Sequence, residues 1–257
     1  MIEIWQAIVL GIVQGITEWL PVSSSGHLVI IQHFFDVEQP VIFDLFLHIG
    51  SLLVVCIVFF EQIKQVILSF FVKKYNKYRR IGYLVIIATI PTAIIGYLFE
   101  DLFVSAFSAL LPVGIALIIT GFLLFFCEGF EKKNKVRTGS ALAIGAMQGL
   151  AIMPGISRSG STIAAGLFFG VGRREAVNFS FLLFIPAIIG AAVLQFRDMQ
   201  NYSIEWMPVI IGTISAVVVG YFSLRLLVFV VNKKMLKHFS YYCWILGIIT
   251  VILSLKF

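Results

Sequence analysis

Hydrophobic positions along the chain fall into long runs that short polar segments separate. A helix that crosses a bilayer needs about 20 mostly apolar residues. Six stretches of the chain meet this requirement: 41–60, 81–99, 106–127, 176–195, 207–230 and 241–256. The pattern therefore predicts six transmembrane helices.

Two further apolar regions, residues 4–35 and 141–170, are interrupted in the middle. Each is long enough for two half-spans, and Pro, Gly and Ser residues divide them at 21–26 and 154–160. Irregular backbone is tolerated at membrane depth only where it is buried in protein or lines a wet cavity. We therefore expect both regions to form re-entrant helix-turn-helix hairpins.

The two interrupted regions also resemble each other. An ungapped shift of 134 residues superposes nine identical residues in 29 positions, among them Gln14 on Gln148. This similarity indicates an internal repeat of approximately 1–127 and 141–257. Three predicted spans separate the hairpins, so the second hairpin enters from the opposite face, as in an inverted-topology repeat. The expected fold class is an all-α integral membrane protein of this architecture.

Composition agrees with a protein that lies in lipid. Hydrophobic residues make up 60% of the chain and charged residues 12%, against about 45–50% and about 25% in soluble domains. A soluble globular protein is therefore excluded. Because no long polar linker interrupts the chain, we expect one integral membrane domain over residues 1–257.

Basic residues are concentrated on one side of the predicted topology. Fifteen of the 19 Lys and Arg residues lie in four connecting segments: 61–80, 128–140, 171–175 and 232–239. By the positive-inside rule that side is cytoplasmic, which places both termini outside a multi-pass plasma membrane protein. The net charge of +6 is then explained by the membrane topology, and we expect no nucleic acid partner. Met1 to Gln6 lack the basic region of a signal peptide, so the first apolar stretch is expected to stay in the mature protein.

Polar residues in the first hairpin are candidates for chemistry. Gln14 and Glu18 lie four residues apart on one helix face, directly before the break. A carboxylate in the bilayer costs about 2.5–3.5 kcal/mol or more, so Glu18 is a functional-site candidate by default. The alternative is that Glu18 and Gln14 hold the hairpin together through hydrogen bonds.

A serine cluster follows Glu18 along the chain and consists of Ser23, Ser24 and Ser25, followed by Gly26 and His27. Serines at a helix start act as N-caps, and the free N–H groups there attract phosphate. With His27 as a base or an orienting group and Glu18 as a second partner, one serine could instead be an activated nucleophile. A packed, purely structural His27 is the alternative.

The second break repeats this design with an arginine. Its polar residues are Ser157, Arg158, Ser159, Gly160, Ser161 and Thr162. Arg158 keeps its charge and presents a planar fork that is suited to phosphate. The alternative is an ion pair with Glu18 that locks the two hairpins together.

Asp44 and His48 lie one turn apart in the first predicted span. They could line an entrance to the site, or they could be ordinary residues near the membrane interface.

Together these residues suit a phosphorylated amphiphile, because they combine two helix N-termini with an arginine, a carboxylate and hydroxyl groups. The residue pattern does not separate hydrolysis from transport. A flippase or transporter for a polyprenyl phosphate is the rival interpretation, and an anion channel is a third.

Residues 14–27 and 154–160 carry a family resemblance, which extends over nearly the whole chain. The sequence resembles the undecaprenyl pyrophosphate phosphatase family of the bacitracin-resistance type. This resemblance implies dephosphorylation of the C55 polyprenyl pyrophosphate carrier to the monophosphate at the extracytoplasmic face. The carrier is thereby recycled for peptidoglycan and other cell-wall polymers. A homodimer is left open.

The resemblance also implies roles for single residues. Ser24 would be the nucleophile, assisted by His27 or Glu18, with direct attack by water as the alternative, and His27 would transfer protons. The phosphate-binding set would be Arg158, Ser23, Ser25, Gly26, Gln148, Ser157, Ser159, Gly160 and Thr162. A divalent cation, Mg²⁺ or Ca²⁺, would be held by Glu18 and Gln14. The family's acidic motif, Glu or Gln followed four positions later by Glu, falls on these two residues, so this chain has its one-carboxylate version.

Overall fold

Helices make up the regular structure of the chain, together with one isolated β-bridge among the described residues. The computed structural model describes residues 2–35, 41–130, 132–198 and 205–255. The first half contains α1 (Ile4–Thr17), α2 (Ser24–Phe35), α3 (Val41–Val58), α4 (Phe60–Leu68), α5 (Asn76–Leu98), α6 (Glu100–Ala106) and α7 (Leu110–Cys127). The second half contains α8 (Thr138–Leu150), α9 (Arg158–Phe168), α10 (Arg173–Asp198), α11 (Trp206–Asn232) and α12 (Leu236–Ser254).

Five of the described helices are long and apolar enough to cross a membrane: α5, α7, α10, α11 and α12. Helices α3 and α4 together form a sixth candidate, although they are bent by 80° relative to each other. Each of the six predicted stretches coincides with one of these candidates. The protein is therefore an all-helical, multi-pass membrane protein.

Helix α4 was not expected, since the sequence analysis assigned it to the connection 61–80. None of its residues is buried. Ile63 packs against the core from one face, while Phe60 and Ile67 are exposed on another. Apolar and charged residues therefore alternate at helical spacing, which gives an amphipathic helix too polar to be recognised as part of a span.

The span predicted over 106–127 begins later than expected, at Leu110. Ala109 has extended backbone angles (φ −139°, ψ 135°), so it separates α7 from the short helix α6.

Two pairs of helices flank the breaks that the sequence predicts. Helix α1 packs against α2 and is separated from it by residues 18–23, here called break 1. Helix α8 packs against α9 and is separated from it by residues 151–157, here called break 2. The breaks start and end earlier than the predicted 21–26 and 154–160. Ser24 and Arg158 are therefore each the first residue of the helix that follows.

Helix packing follows the same scheme in the two halves. Helix α1 packs on α11 as α8 packs on α5, and α3 packs on α11 as α10 packs on α5. Helices α7 and α12, the last in each half, pack on each other. These five helix contacts are therefore equivalent when the halves are exchanged, whereas α9 packs on α7 and α10 more extensively than α2 packs on their counterparts α12 and α3.

Gly11 and Gly145 explain why two helix crossings are so close. They are equivalent under the 134-residue shift, and neither has room for a side chain. A Cβ atom on Gly11 would overlap the carbonyl oxygen of Gly212 in α11, and one on Gly145 would overlap that of Ala88 in α5. Small residues at such positions let helix backbones touch, which is how helices associate in lipid.

The four basic connecting segments meet at one end of the molecule. Arg80 donates from Nη2 to the carbonyl of Val136 at 3.3 Å. Glu128 Oε1 accepts a hydrogen bond from the backbone N–H of Leu236 at 2.9 Å and lies 3.6 Å from Arg173 Nη1. These contacts connect all four segments, as expected if they share one side of the membrane.

Replacing Gly145 with Ala should destabilise the protein, because the added Cβ has no space at the α8–α5 crossing. Overpacking of this kind costs about 1–3 kcal/mol. The measurement is the thermal unfolding midpoint in detergent. Gly139→Ala is the matched control, since it lies in the same helix and nothing is within 4 Å of its Cβ position. An equal midpoint for both variants would contradict the close crossing.

Candidate active site

Breaks 1 and 2 contact each other in the protein interior. Ser23 Oγ accepts a hydrogen bond from the backbone N–H of Gly155 at 3.1 Å. Ser159 Oγ donates to the carbonyl of Leu20 at 3.4 Å. Thr120 of α7 donates from Oγ1 to the carbonyl of Gly155 at 2.9 Å and so attaches break 2 to α7. The two breaks are more than a hundred positions apart in the sequence, and the fold brings them together.

Ser23 and Ser157 cap the two helices that leave the breaks. Ser157 Oγ accepts from Gly160 N at 3.1 Å, and Ser23 Oγ accepts from Gly26 N at 3.3 Å. A serine at this position satisfies one of the free N–H groups of the first helical turn. Ser23 also has a positive φ of 68°, in the left-handed region that costs an L-residue about 1–2 kcal/mol.

Two further serines and two glycines complete the contact between the breaks. Ser25 Oγ and Ser159 Oγ each lie 3.3 Å from the hydroxyl of the capping serine two residues earlier. A Cβ on Gly26 would come within 3.1 Å of the Gly155 Cα atom, and one on Gly160 within 3.0 Å of the Pro21 Cβ atom. These glycines therefore allow the two breaks to approach closely.

Glu18 lies at the centre of the site and is 5% exposed. Its Oε2 atom accepts hydrogen bonds from Ser24 Oγ at 2.5 Å and from Gln14 Nε2 at 3.2 Å. His48 Nε2 lies 3.5 Å from the same oxygen. The other oxygen, Oε1, is 2.5 Å from Arg158 Nη2. The carboxylate thus connects a hydroxyl on α2 with a guanidinium on α9.

Arg158 is held by aromatic rings as well as by Glu18. Its guanidinium carbon lies 3.8 Å from the ring centroid of Phe184 and 5.6 Å from that of Trp19. Stacking of this kind suits arginine in particular, since its guanidinium is planar and weakly hydrated. The second terminal nitrogen, Nη1, is buried and has no hydrogen-bond acceptor among the described residues. An anion at this position would satisfy it.

Both ring nitrogens of His27 contact atoms other than the serine hydroxyl that it was expected to activate. Its Nδ1 atom is 2.7 Å from the carbonyl oxygen of Ser23, and its Nε2 atom is 2.6 Å from the hydroxyl of Tyr242. Both ring nitrogens are therefore engaged, and the side chain that accepts a hydrogen bond from Ser24 Oγ is Glu18.

Thr162 and Gln148, both expected to bind phosphate, point into the helix packing. Thr162 Oγ1 donates to the carbonyl of Arg158 at 2.7 Å and lies 2.6 Å from Ser180 Oγ. Gln148 Nε2 donates to the carbonyl of Leu183 at 3.2 Å, and its Oε1 is buried without a partner. Thr162 therefore supports the backbone of Arg158 from within the protein.

Two polar residues contact the site although the sequence did not assign them to it. His48 was considered only as a residue that could line an entrance, and Tyr242 was not singled out. Asp44, His48 and Ser51 form a polar stripe along one face of α3, and that stripe is a signal in the sequence. His48 reaches Glu18, while Ser51 Oγ accepts from Gln14 Nε2 at 3.4 Å. Asp44 instead accepts hydrogen bonds from Gln32 on α2 at 3.1 and 3.3 Å. No sequence pattern marks Tyr242.

Glu18 and Gln14 are the residues of this site that could supply oxygen ligands to a divalent cation. The described residues contain no group of three or more His, Cys, Asp or Glu side chains that could hold a metal by themselves. Gln14 Oε1, however, is buried without a hydrogen-bond partner beside Glu18. One carboxylate and one amide oxygen suit a hard cation such as Mg²⁺, which in many sites takes its other ligands from substrate phosphates and water.

The fold and the site define a multi-pass membrane protein with a serine, a carboxylate and an arginine where two broken helices meet. Residues 7–249 match the family model described as bacitracin resistance protein BacA. The chain belongs to this family.

Curated relatives align over almost the entire chain. It is 44% identical to an undecaprenyl-diphosphatase of Halothermothrix orenii over 98% of both chains. It is 41% identical to one of Methanosphaera stadtmanae over 99% of both chains. The identity to one of Carboxydothermus hydrogenoformans is 43% over 97% of both chains.

Replacing Ser23 with Ala should loosen the contact between the breaks, because it removes the cap of α2 and the acceptor for Gly155 N–H. Loss of a capping serine costs about 0.5–2 kcal/mol, and the orphaned Gly155 N–H adds to this. The thermal unfolding midpoint should fall. Ser25→Ala is the control, since the hydroxyl of Ser25 contacts that of Ser23 and caps no helix. Equal midpoints for the two variants would show that Ser23 does not connect the breaks.

Proposed function

We propose that this protein hydrolyses undecaprenyl diphosphate to undecaprenyl phosphate and inorganic phosphate. The observation that carries the proposal is the arrangement around Glu18. This carboxylate accepts a hydrogen bond from Ser24 Oγ and pairs with Arg158, whose Nη1 atom has no acceptor. A base, a hydroxyl nucleophile and an anion-binding group are thus in contact. The names of the relatives give the substrate.

In the first chemical step Ser24 Oγ attacks the terminal phosphorus of the diphosphate. The hydroxyl proton passes to Glu18 Oε2, with which Ser24 is already hydrogen-bonded. A bond forms between Oγ and phosphorus, and the bond from phosphorus to the bridging oxygen breaks, which releases the lipid monophosphate. The oxygen of a water molecule then forms a bond to phosphorus, and the bond from phosphorus to Ser24 Oγ breaks. Ser24 recovers its proton from Glu18, and inorganic phosphate leaves with both hydrogens of the water.

Arg158 holds the terminal phosphate through Nη1, and the N-termini of α2 and α9 contribute free N–H groups. Because Arg158 and Ser24 contact the two oxygens of one carboxylate, the phosphate that Arg158 binds lies next to the nucleophile. Ser25 and Ser159 complete the polar wall. Such preorganised donors are the main source of stabilisation in phosphoryl transfer.

Glu18 and Gln14 Oε1 are the residues that would hold Mg²⁺ or Ca²⁺. When bound, the cation neutralises part of the charge of the diphosphate. Glu18 then has two tasks, to accept the proton of Ser24 and to contribute to the cation site. Gln14, a neutral residue, contributes oxygen without adding a second negative charge next to Glu18.

The membrane topology that fits these contacts is an inverted repeat with two re-entrant hairpins, formed by α1 and α2 and by α8 and α9. The exchangeable helix contacts of the two halves support it. Since the four basic segments meet at one end, that end faces the cytoplasm of the plasma membrane. The α1–α2 hairpin then enters from the opposite face, where both termini lie, and the site opens to the extracytoplasmic side.

Ser24→Ala should abolish phosphate release from undecaprenyl diphosphate by the purified protein, since no hydroxyl nucleophile remains hydrogen-bonded to Glu18. Arg158→Lys should lower kcat/KM at least a hundredfold, because lysine provides neither the planar fork nor the stacking on Phe184. The controls are Ser105→Ala and Arg225→Lys, at exposed positions, which should keep wild-type rates.

Two results would overturn these assignments. Near-normal turnover by either site variant would refute the role given to that residue. A wild-type protein that moves the lipid across vesicles and releases no phosphate would favour a transporter instead.

Removal of divalent cations by a chelator should abolish phosphate release, and added Mg²⁺ or Ca²⁺ should restore it. Gln14→Ala should raise the cation concentration needed for half-maximal rate about tenfold or more, through loss of one oxygen ligand. Gln32→Ala is the control, because its side chain binds Asp44 rather than Glu18. Full activity in excess chelator would contradict a cation requirement.

A further inference from the structure

Tyr242 reaches from α12 to the helix that carries Ser24. Its hydroxyl lies 2.6 Å from His27 Nε2, and the two rings are parallel within 2° with centroids 5.7 Å apart. The two residues are 215 positions apart in sequence. This contact connects α12 to the first turn of α2, and the mechanism above does not use it.

The hydrogen bond at His27 Nδ1 determines whether the Tyr242 hydroxyl donates to Nε2 or accepts from it. A carbonyl oxygen can only accept, so His27 Nδ1 must carry the hydrogen that it shares with the Ser23 carbonyl. In the neutral ring, Nε2 is then an acceptor, and the phenol of Tyr242 donates to it. The Ser23 carbonyl therefore selects the tautomer of His27, and Tyr242 stabilises that tautomer and the orientation of the ring by donating to Nε2.

The Ser23 carbonyl belongs to the peptide group that leads directly into Ser24. Ser23 has a φ of 68°, a strained conformation that persists only when its surroundings hold it. Its hydroxyl is held by Gly26 and Gly155, and its carbonyl accepts from both the ring and the backbone N–H of His27. The orientation of this peptide group determines where Ser24 Oγ points.

We propose that Tyr242 is a positioning residue for the reaction, acting through His27 on the Ser23–Ser24 peptide group. The proposal rests on the function proposed above. It assigns His27 the role of an orienting group held by a second side chain. Small displacements of a nucleophile have large effects on rate, because attack requires close alignment.

Tyr242→Phe keeps the ring and removes the donor, so it tests the hydrogen bond rather than the packing. We expect kcat to fall about three- to tenfold, the effect of one ordinary hydrogen bond, with KM changed less than twofold. Tyr241→Phe is the matched control, since the Tyr241 ring packs against Phe125 and Trp244. It should retain the wild-type kcat.

The second readout is the nitrogen NMR spectrum of protein labelled in its histidines, which needs no substrate. In the wild type, His27 should show a protonated Nδ1 and a hydrogen-bonded Nε2. In Tyr242→Phe, the Nε2 resonance should move toward that of a free ring nitrogen, while Tyr241→Phe leaves it unchanged.

An unchanged His27 resonance in Tyr242→Phe, or a kcat within twofold of wild type, would overturn the proposal. A wild-type protein without phosphatase activity would refute the proposed function instead, and the NMR comparison would still test the contact itself.

Discussion

The ion pair between Glu18 and Arg158 joins two residues that are 140 positions apart and lie at the two chain breaks. A single buried carboxylate or guanidinium would be unstable in this interior, and removing one partner of such a pair costs about 3–5 kcal/mol. Here each charge satisfies the other, and the carboxylate also accepts from Ser24 and Gln14. The site therefore assembles when the α1–α2 pair and the α8–α9 pair dock against each other.

The docking of the two helix pairs depends on how closely the helix backbones pack. Gly11 and Gly145 place α1 and α8 directly on their partner helices, and Gly26 and Gly160 let the breaks touch. Because lipid provides no hydrophobic force between helices, close backbone packing and hydrogen bonds must hold the structure together. The same residues that stabilise the fold thus bring the polar groups of the two breaks within bonding distance.

Much of this could be predicted from the sequence. The spans are evident because lipid requires long apolar runs. The breaks are evident because Pro, Gly and Ser interrupt such runs, and Glu18 and Arg158 are conspicuous as charges at membrane depth. The alternative considered for Arg158, an ion pair with Glu18, is the contact that the structure contains, and it coexists with an open Nη1 atom. A structural pairing and an anion-binding role were therefore not mutually exclusive.

Other features depend on tertiary contacts that leave no local pattern. Helix α4 was missed because its amphipathic sequence resembles a polar connection. His27 lies next to the serine cluster, so a serine–histidine pair was a natural expectation, but its side chain turns toward Tyr242 in α12. The group that contacts Ser24 is the carboxylate six residues before it. The sequence identified the members of the site, but it could not decide which of the two partners expected for Ser24, His27 or Glu18, contacts its hydroxyl.

The most direct test of this account is to quench a single turnover with undecaprenyl diphosphate labelled at its terminal phosphate, and to locate the label on the protein by mass spectrometry. If Glu18 activates Ser24 next to the phosphate that Arg158 holds, the label will be on Ser24, and it will be absent in Glu18→Gln. Label on another residue, or turnover that leaves Ser24 unmodified at every time point, would contradict the account.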